Sequence, residues 1–213
     1  MDGRGGGRRV AMRTAMLGVV VLLAALAFAL ATGSAAQAKE WRIDTMDVAL
    51  DVQQNGDVLV DETVPFTFSG SFSRVGRSIP TGNLDGLRDI KVSQNGVPLS
   101  RGQGPGQWDT SMEGKNRIIQ LFFAITDGSA TWTIHYRAQG AIQFFDQGDE
   151  LRWYVFDADT PVPIGKVTAT VKLPGNVDSA KITGAIDTGA DVQSSVASPA
   201  ASTAVYQGAS VPA

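Results

Sequence analysis

The stretch DTMDVALDVQQNGDVLVDETVPFTFSG, residues 44–70, decides the fold class. Met46, Val48, Leu50 and Val52 fall at every second position, with Asp47 and Asp51 between them. A period of two marks a half-buried strand, because successive side chains of extended backbone point to opposite faces. Asn55-Gly56 follows, the pair best suited to a type I′ turn, whose two central residues both need positive φ. The alternation resumes through Val58, Val60, Glu62, Val64, Phe66 and Phe68. Pro65 has no N–H to give to a ladder, so the strand is expected to bulge or lie at an edge there.

The same grammar recurs downstream. LRDIKVS runs into a second Asn-Gly, Asn95-Gly96, and then VPLS. RIIQLFFAI and ATWTIHYRA are separated by TDGS, a further hairpin signal through Asp127-Gly128. ELRWYVF, KVTATVKL and SAKITGAI complete about eight strands, and no long window after residue 38 has helical periodicity. Short strands with regular turns predict an all-β, antiparallel β-sandwich over residues 39–189. Residues 101–116, with four glycines and no alternation, read as a long loop. Residues 190–213, rich in Ala and Ser, read as one more strand or a low-complexity tail.

Ahead of this domain stands a different text. Arg4, Arg8, Arg9 and Arg13 precede an uncharged apolar run from Ala15 to Ala31, and Ala36 and Ala38 then form an A-x-A site. That order predicts a secretory signal peptide over residues 1–38, or an anchor helix if it is left uncleaved. All four arginines lie before the apolar run, so in both readings residues 39 onward are expected outside the cytoplasm, on the outer face of the membrane. There are no cysteines, so the exported part must hold together by packing rather than by disulfides. Four of 18 basic and one of 21 acidic residues precede Lys39, leaving 14 against 20, a formal −6. An acidic domain without a basic cluster repels phosphate backbones and is not expected to bind nucleic acid.

Candidate chemistry is sparse. FFDQGDELRWYVFDADTPVP, residues 144–163, carries Asp146, Asp149, Glu150, Asp157 and Asp159 around Trp153-Tyr154. If ELRWYVF is a strand, Glu150 and Asp157 lie about 23 Å apart at ~3.3 Å per residue. Glycosidase pairs need roughly 5–9.5 Å. Only Asp146 with Glu150, or Asp157 with Asp159, could act together. A solubilising role at strand ends stands against a calcium site or acid/base work for these groups. His135, the single histidine, falls on the outward side of TWTIHYRA beside Arg137, and no G-x-S-x-G elbow accompanies it. Arg74 and Arg77 occur in SFSRVGRSIP, read as a Gly/Ser-rich loop. There a guanidinium could grip a ligand carboxylate, or tie the loop to the sheet through Glu62 or Asp146. Trp108, in the long loop, and Tyr154 are candidate platforms for a sugar, while Trp153 is expected inward with Leu151 and Val155.

Several of these signatures, in this order, resemble the N-terminal domain of a bacterial predicted-membrane-protein family, domain of unknown function 2207. They are Trp41, the Asn55-Gly56 turn, Glu62, GRSIP with Arg77 and Pro80, Tyr136, Asp146, Leu151 to Trp153, and Pro163 to Pro174. The resemblance runs over residues 39–185. It implies an exported β-domain followed by transmembrane helices and a Gly/Ser-rich tail, with no assigned chemistry. This chain ends without such helices, which predicts that it is a fragment of a longer membrane protein. The expectation is a non-catalytic exported ectodomain, an interaction or sensory module that takes no cofactor or metal and meets an unknown envelope protein or glycan. The alternative is a carbohydrate- or calcium-binding module. Arg74, Arg77, Trp108, Asp146, Glu150 and Tyr154 are the candidate contacts.

Overall fold

A computed structural model describes residues 39–156, 162–175, 194–200 and 202–211. The signal or anchor segment 1–38, Asp157, Asp159 and the SAKITGAI run lie outside the described residues. Among the described residues every regular element is a strand. In chain order these are β1 (Glu40–Val52), β2 (Val58–Pro80), β3 (Gly86–Gln94), β4 (Val97–Pro98), β5 (Ser100–Arg101) and β6 (Gln107–Glu113). They continue with β7 (Asn116–Gln139), β8 (Ile142–Gln143), β9 (Glu150–Leu151), β10 (Ile164–Lys172), β11 (Ser194–Ala200) and β12 (Thr203–Val211). Ten strands form one sheet in the order β11-β12-β10-β1-β2-β7-β3-β4, with β6 also on β7 and β5 on β6; β8 and β9 make a separate ribbon.

The sheet is organised by two long partners. β2 and β7 run antiparallel from Val58↔Ala138 to Pro80↔Asn116. Neither strand is straight. Nine residues of extended chain cover about 30 Å, yet the rings of Phe123 and Trp132, both on β7, have centroids 4.9 Å apart. Glu62 and Arg77, both on β2, would lie about 50 Å apart in a straight strand; their side chains meet at 2.7 Å. The ribbon therefore doubles over, and its two halves share one core.

Two opposed bulges mark the corner. Between Phe68 and Ser71 β2 has an extra residue, and between Phe122 and Ile125 β7 has one. Gly70 (φ 87°) and Asp127 (φ 49°) are both left-handed, and the Gly70 N–H donates to Asp127 Oδ1 at 2.6 Å. TDGS is thus not a hairpin turn but a bend inside β7, and SFSRVGRSIP is not a loop but the second half of β2. A bulge bends a strand, strengthens its twist and changes which parity faces in. The inward set of β7 changes accordingly, from Ile119, Leu121 and Phe123 to Ala130, Trp132, Ile134, Tyr136 and Ala138. The strands form one continuous, folded sheet rather than the two separately bonded sheets expected of a sandwich.

Other elements follow the sequence closely. Met46, Val48 and Leu50 are each 3 % exposed or less. β1 carries an extra residue between Ile43 and Asp47, against Phe66 to Thr63 of β2. That bulge lies opposite Pro65, which cannot complete the ladder. Asn95 (φ 51°) and Gly96 (φ 81°) are both left-handed and close the two-residue turn onto β4, as a type I′ geometry requires. At the first Asn-Gly only Gly56 is left-handed. There a five-residue loop is closed by Gln53 N–H to Asp57 O at 2.8 Å and Gly56 N–H to Gln53 O at 3.0 Å.

Three expectations are corrected. Residues 107–113 of the long loop are strand β6, paired with β7; as an outer strand its Asp109, Thr110 and Ser111 show no apolar alternation. ELRWYVF contributes only Glu150 and Leu151 to a strand. Not all pairing is antiparallel: β10 runs parallel to β1, from Ile43↔Ile164 to Asp51↔Lys172. A parallel neighbour needs a crossover, and the chain between β7 and β10 supplies it. Of the two readings of the tail, the strand is the one found: β12 pairs with β10, and β11 with β12.

Candidate functional site

Glu62 occupies an inward position of β2 and is fully buried. A lone carboxylate there would cost several kcal/mol in desolvation, so it needs donors. Arg77, brought back by the bend, supplies a fork: Nε to Oε2 at 2.7 Å and Nη2 to Oε1 at 2.9 Å. Tyr136 supplies a third bond, its hydroxyl donating to Oε1 at 2.6 Å. Tyr136 is within reach because β7 sets it opposite Val60, one step diagonal to Glu62. Burial first, and then the Glu62 carboxylate, push the Tyr136 phenol well above its ordinary 10.0, which keeps it a donor.

The same guanidinium faces outward as well. Arg77 donates from Nη1 to the Ser78 carbonyl and from Nη2 to the Tyr154 carbonyl at 2.9 Å. The neighbouring Trp153 lies nearly parallel to Tyr136, with ring centroids 6.2 Å apart. The buried ion pair thus anchors Trp153-Tyr154, a segment outside any strand, to the folded sheet. Leu151, Trp153 and Val155 pack on the core, as the alternation predicts.

The other sequence candidates are scattered. Arg74 lies exposed on the outer face of β2, opposite Phe122. Trp108 is not a loop platform: it is an inward residue of β6, 5 % exposed. Its indole N–H donates to Leu99 O at 3.1 Å, and the Arg101 guanidinium lies 4.8 Å from the ring centroid. An exposed Trp108–Tyr154 pair is therefore ruled out. Asp146, Asp149 and Glu150 are all exposed, and Glu150 meets Arg152 at 3.4 Å across the surface. His135 accompanies Asp61 at 2.9 Å on the outward side of β7. Among the described residues no three His, Asp or Glu groups are close enough to share a metal ion.

The described residues hold a second acidic contact inward of the surface. Asp57, at the first Asn-Gly turn, is buried and takes Arg137 Nη1 at 3.3 Å. It ties the loop after β1 to β7, as the Glu62 pair ties the two halves of β2 together.

The family called predicted membrane protein (DUF2207), N-terminal domain, matches residues 42–209. The chain belongs to this family. No curated protein matches this chain by sequence. Among solved structures, yeast LTA4 hydrolase in complex with bestatin is 13 % identical with a TM-score of 0.48, over 81 % of this chain and 27 % of that one. A Legionella pneumophila protein described as nutrient-binding is 14 % identical with a TM-score of 0.46, over 78 % and 61 %. An M1 zinc metallopeptidase of Deinococcus radiodurans is 11 % identical with a TM-score of 0.42, over 79 % and 39 %. The DUF2207 chain thus spans less than two thirds of each.

Proposed function

We infer that this domain is the non-catalytic, extracytoplasmic contact module of a membrane-associated protein. The observation that carries the reading is where large apolar side chains meet water. Five are exposed among the described residues, and three of them, Phe144, Phe145 and Tyr154, belong to the single segment 144–154. Isolated exposed apolar residues are ordinary; several on one segment point to a partner. Aromatic side chains also supply much contact area at small entropic cost, which suits an interface.

Non-catalysis is supported by how the buried carboxylate is used. Both oxygens of Glu62 accept bonds from Arg77 or Tyr136, a structural arrangement rather than one presented to a substrate. The export reading is supported by the tripartite N-terminus and by membership of a membrane-protein family.

Two measurements test this. Alkaline phosphatase joined after Ala213 is expected to be active, since that enzyme matures only outside the cytoplasm; an inactive fusion that is well expressed would reject the outer face. Photocrosslinking residues at positions 144, 145 and 154, in intact cells, are expected to give one discrete envelope adduct. Positions 97 and 112, the remaining exposed apolar sites, should give none. Equal labelling at all five positions would defeat the contact reading. A hydrolytic activity abolished by Asp146→Asn or Glu150→Gln would defeat non-catalysis.

A further inference from the structure

We propose that a groove beside Tyr154 binds a carboxylated sugar residue of an acidic glycan. The assignment rests on the contact-module reading above and narrows it to one site and one ligand class.

The groove encloses about 300 Å³ between the end of β2, the turn joining β6 to β7, and the Trp153-Tyr154 segment. Ile79, Asn83, Lys115, Arg152, Trp153 and Tyr154 are among the residues that line it. That is within the size range of small-ligand sites. Its charge is the reverse of the domain's. From Lys39 onward the chain carries a formal −6, yet the groove is lined by two cations and no carboxylate. Arg152 meets Glu150 only across the surface, at 3.4 Å with both side chains about half exposed or more. Such a pair is weak and leaves most of the guanidinium N–H groups able to take a ligand carboxylate.

The remaining lining suits a sugar ring. A pyranose offers an apolar C–H face and a rim of hydroxyls. The Tyr154 ring, 53 % exposed, stands ready for the first. Asn83 and Asn116, amides that both donate and accept, suit the second. Trp153 is one of the lining residues, and its indole N–H is buried without a hydrogen-bond partner, a donor that a buried site would normally satisfy.

The walls are also held in place before any ligand arrives. Tyr154 O is pinned by Arg77, and Trp153 is stacked on Tyr136. At Lys115, also on the lining, the carbonyl accepts from Thr81 N–H at 2.8 Å and Thr81 Oγ1 at 2.7 Å. A site built on anchored walls loses less entropy on binding. This gives the buried Glu62–Arg77 pair an outward consequence: it sets the aromatic wall.

The test is a titration of the purified full chain with N-acetylmuramic acid and glucuronic acid, followed by tryptophan fluorescence and calorimetry. N-acetylglucosamine serves as the neutral control and tetraglutamate as the acidic peptide control. Both acidic sugars are expected to bind at least about tenfold more tightly than the neutral one, the worth of one charged hydrogen bond. Lys115→Ala and Arg152→Ala should each remove about tenfold in affinity without moving the melting temperature, since both side chains are on the surface. Equal binding of the neutral sugar, tighter binding of tetraglutamate, unchanged affinity in both variants, or no binding by any sugar would each overturn the proposal. An envelope adduct at position 144 or 145 without sugar binding would sink this proposal alone and leave the contact-module reading standing.

Discussion

At Glu62 a charge occupies a place in the strand where its neighbours Val60 and Val64 are core residues. Its stability depends wholly on Arg77 and Tyr136, so removing one partner should be severe. Arg77→Ala leaves a buried charge uncompensated and is expected to cost about 3–5 kcal/mol, read from urea unfolding. Glu62→Leu combined with Arg77→Met should recover most of that loss, because two packed apolar side chains need no pairing. A double variant as unstable as the single one would refute the ion-pair account. Tyr136 adds a pH dependence. Its folded pKa is raised above the ordinary 10.0, burial being the largest cause. The unfolded chain therefore releases the phenolic proton first, so stability is intact below pH 10 and falls as pH climbs toward the folded value. Tyr136→Phe should lower stability by about 1–2 kcal/mol at neutral pH and flatten the decline above pH 10. Parallel slopes for the two proteins there would contradict the assignment.

On the scale of elements the corner of the β2–β7 ribbon matters most. Gly70 adopts φ 87°, and a Cβ there would come within 3.2 Å of the Lys39 side chain. Gly70→Val should destabilise the domain by more than about 1 kcal/mol, the cost of left-handed backbone for a side-chain-bearing residue. Asp127→Ala loses the bond to the Gly70 N–H and keeps the left-handed strain, so it is expected to cost about 1–2 kcal/mol. Asp127→Asn, which can still accept from Gly70 and tolerates that backbone, should cost less. The denaturant midpoint of each variant decides the order. The sequence signal at this corner was visible but ambiguous. An Asp-Gly flanked by alternating residues suits a hairpin turn and a bulge alike, because both demand a left-handed residue. At Asn95-Gly96 the same kind of signal did mean a turn. What differs is whether the flanking strand continues against the same partner, which no window of a few residues contains.

For the whole molecule, the sheet depends on its last strand. β10 lies between β1 and β12, and Val167 and Ala169 on it are buried. Ending the chain at Pro174 would remove β12 and leave β10 as an open edge. Such an edge pairs with other chains, so the shortened protein is expected to self-associate. Sedimentation should show oligomers for it and a smaller species for the full chain; identical behaviour would mean that β12 does not protect the edge. The groove at Tyr154 belongs to this scale too. Its lining comes from residues 79–84, 115–116 and 152–154, three segments with no shared motif. Lys115 and Asn83 consequently carried no signal in the sequence, whereas Tyr154 was marked by its place on the outward side of an alternating run.

By itself the sequence determined that β1, the first half of β2, much of β7 and β10 extend, which side of them is apolar, and that Pro65 cannot complete a ladder. These follow from stereochemistry within a few bonds: the period of two, the missing proline N–H, and the backbone freedom of Gly and Asn. Only the tertiary structure decided that β2 and β7 double over, that β10 runs parallel to β1, that Trp108 is buried, and that Arg77 closes on Glu62. Each of those is a contact between residues many positions apart, stabilised by burial that exists only once the sheet has closed on itself.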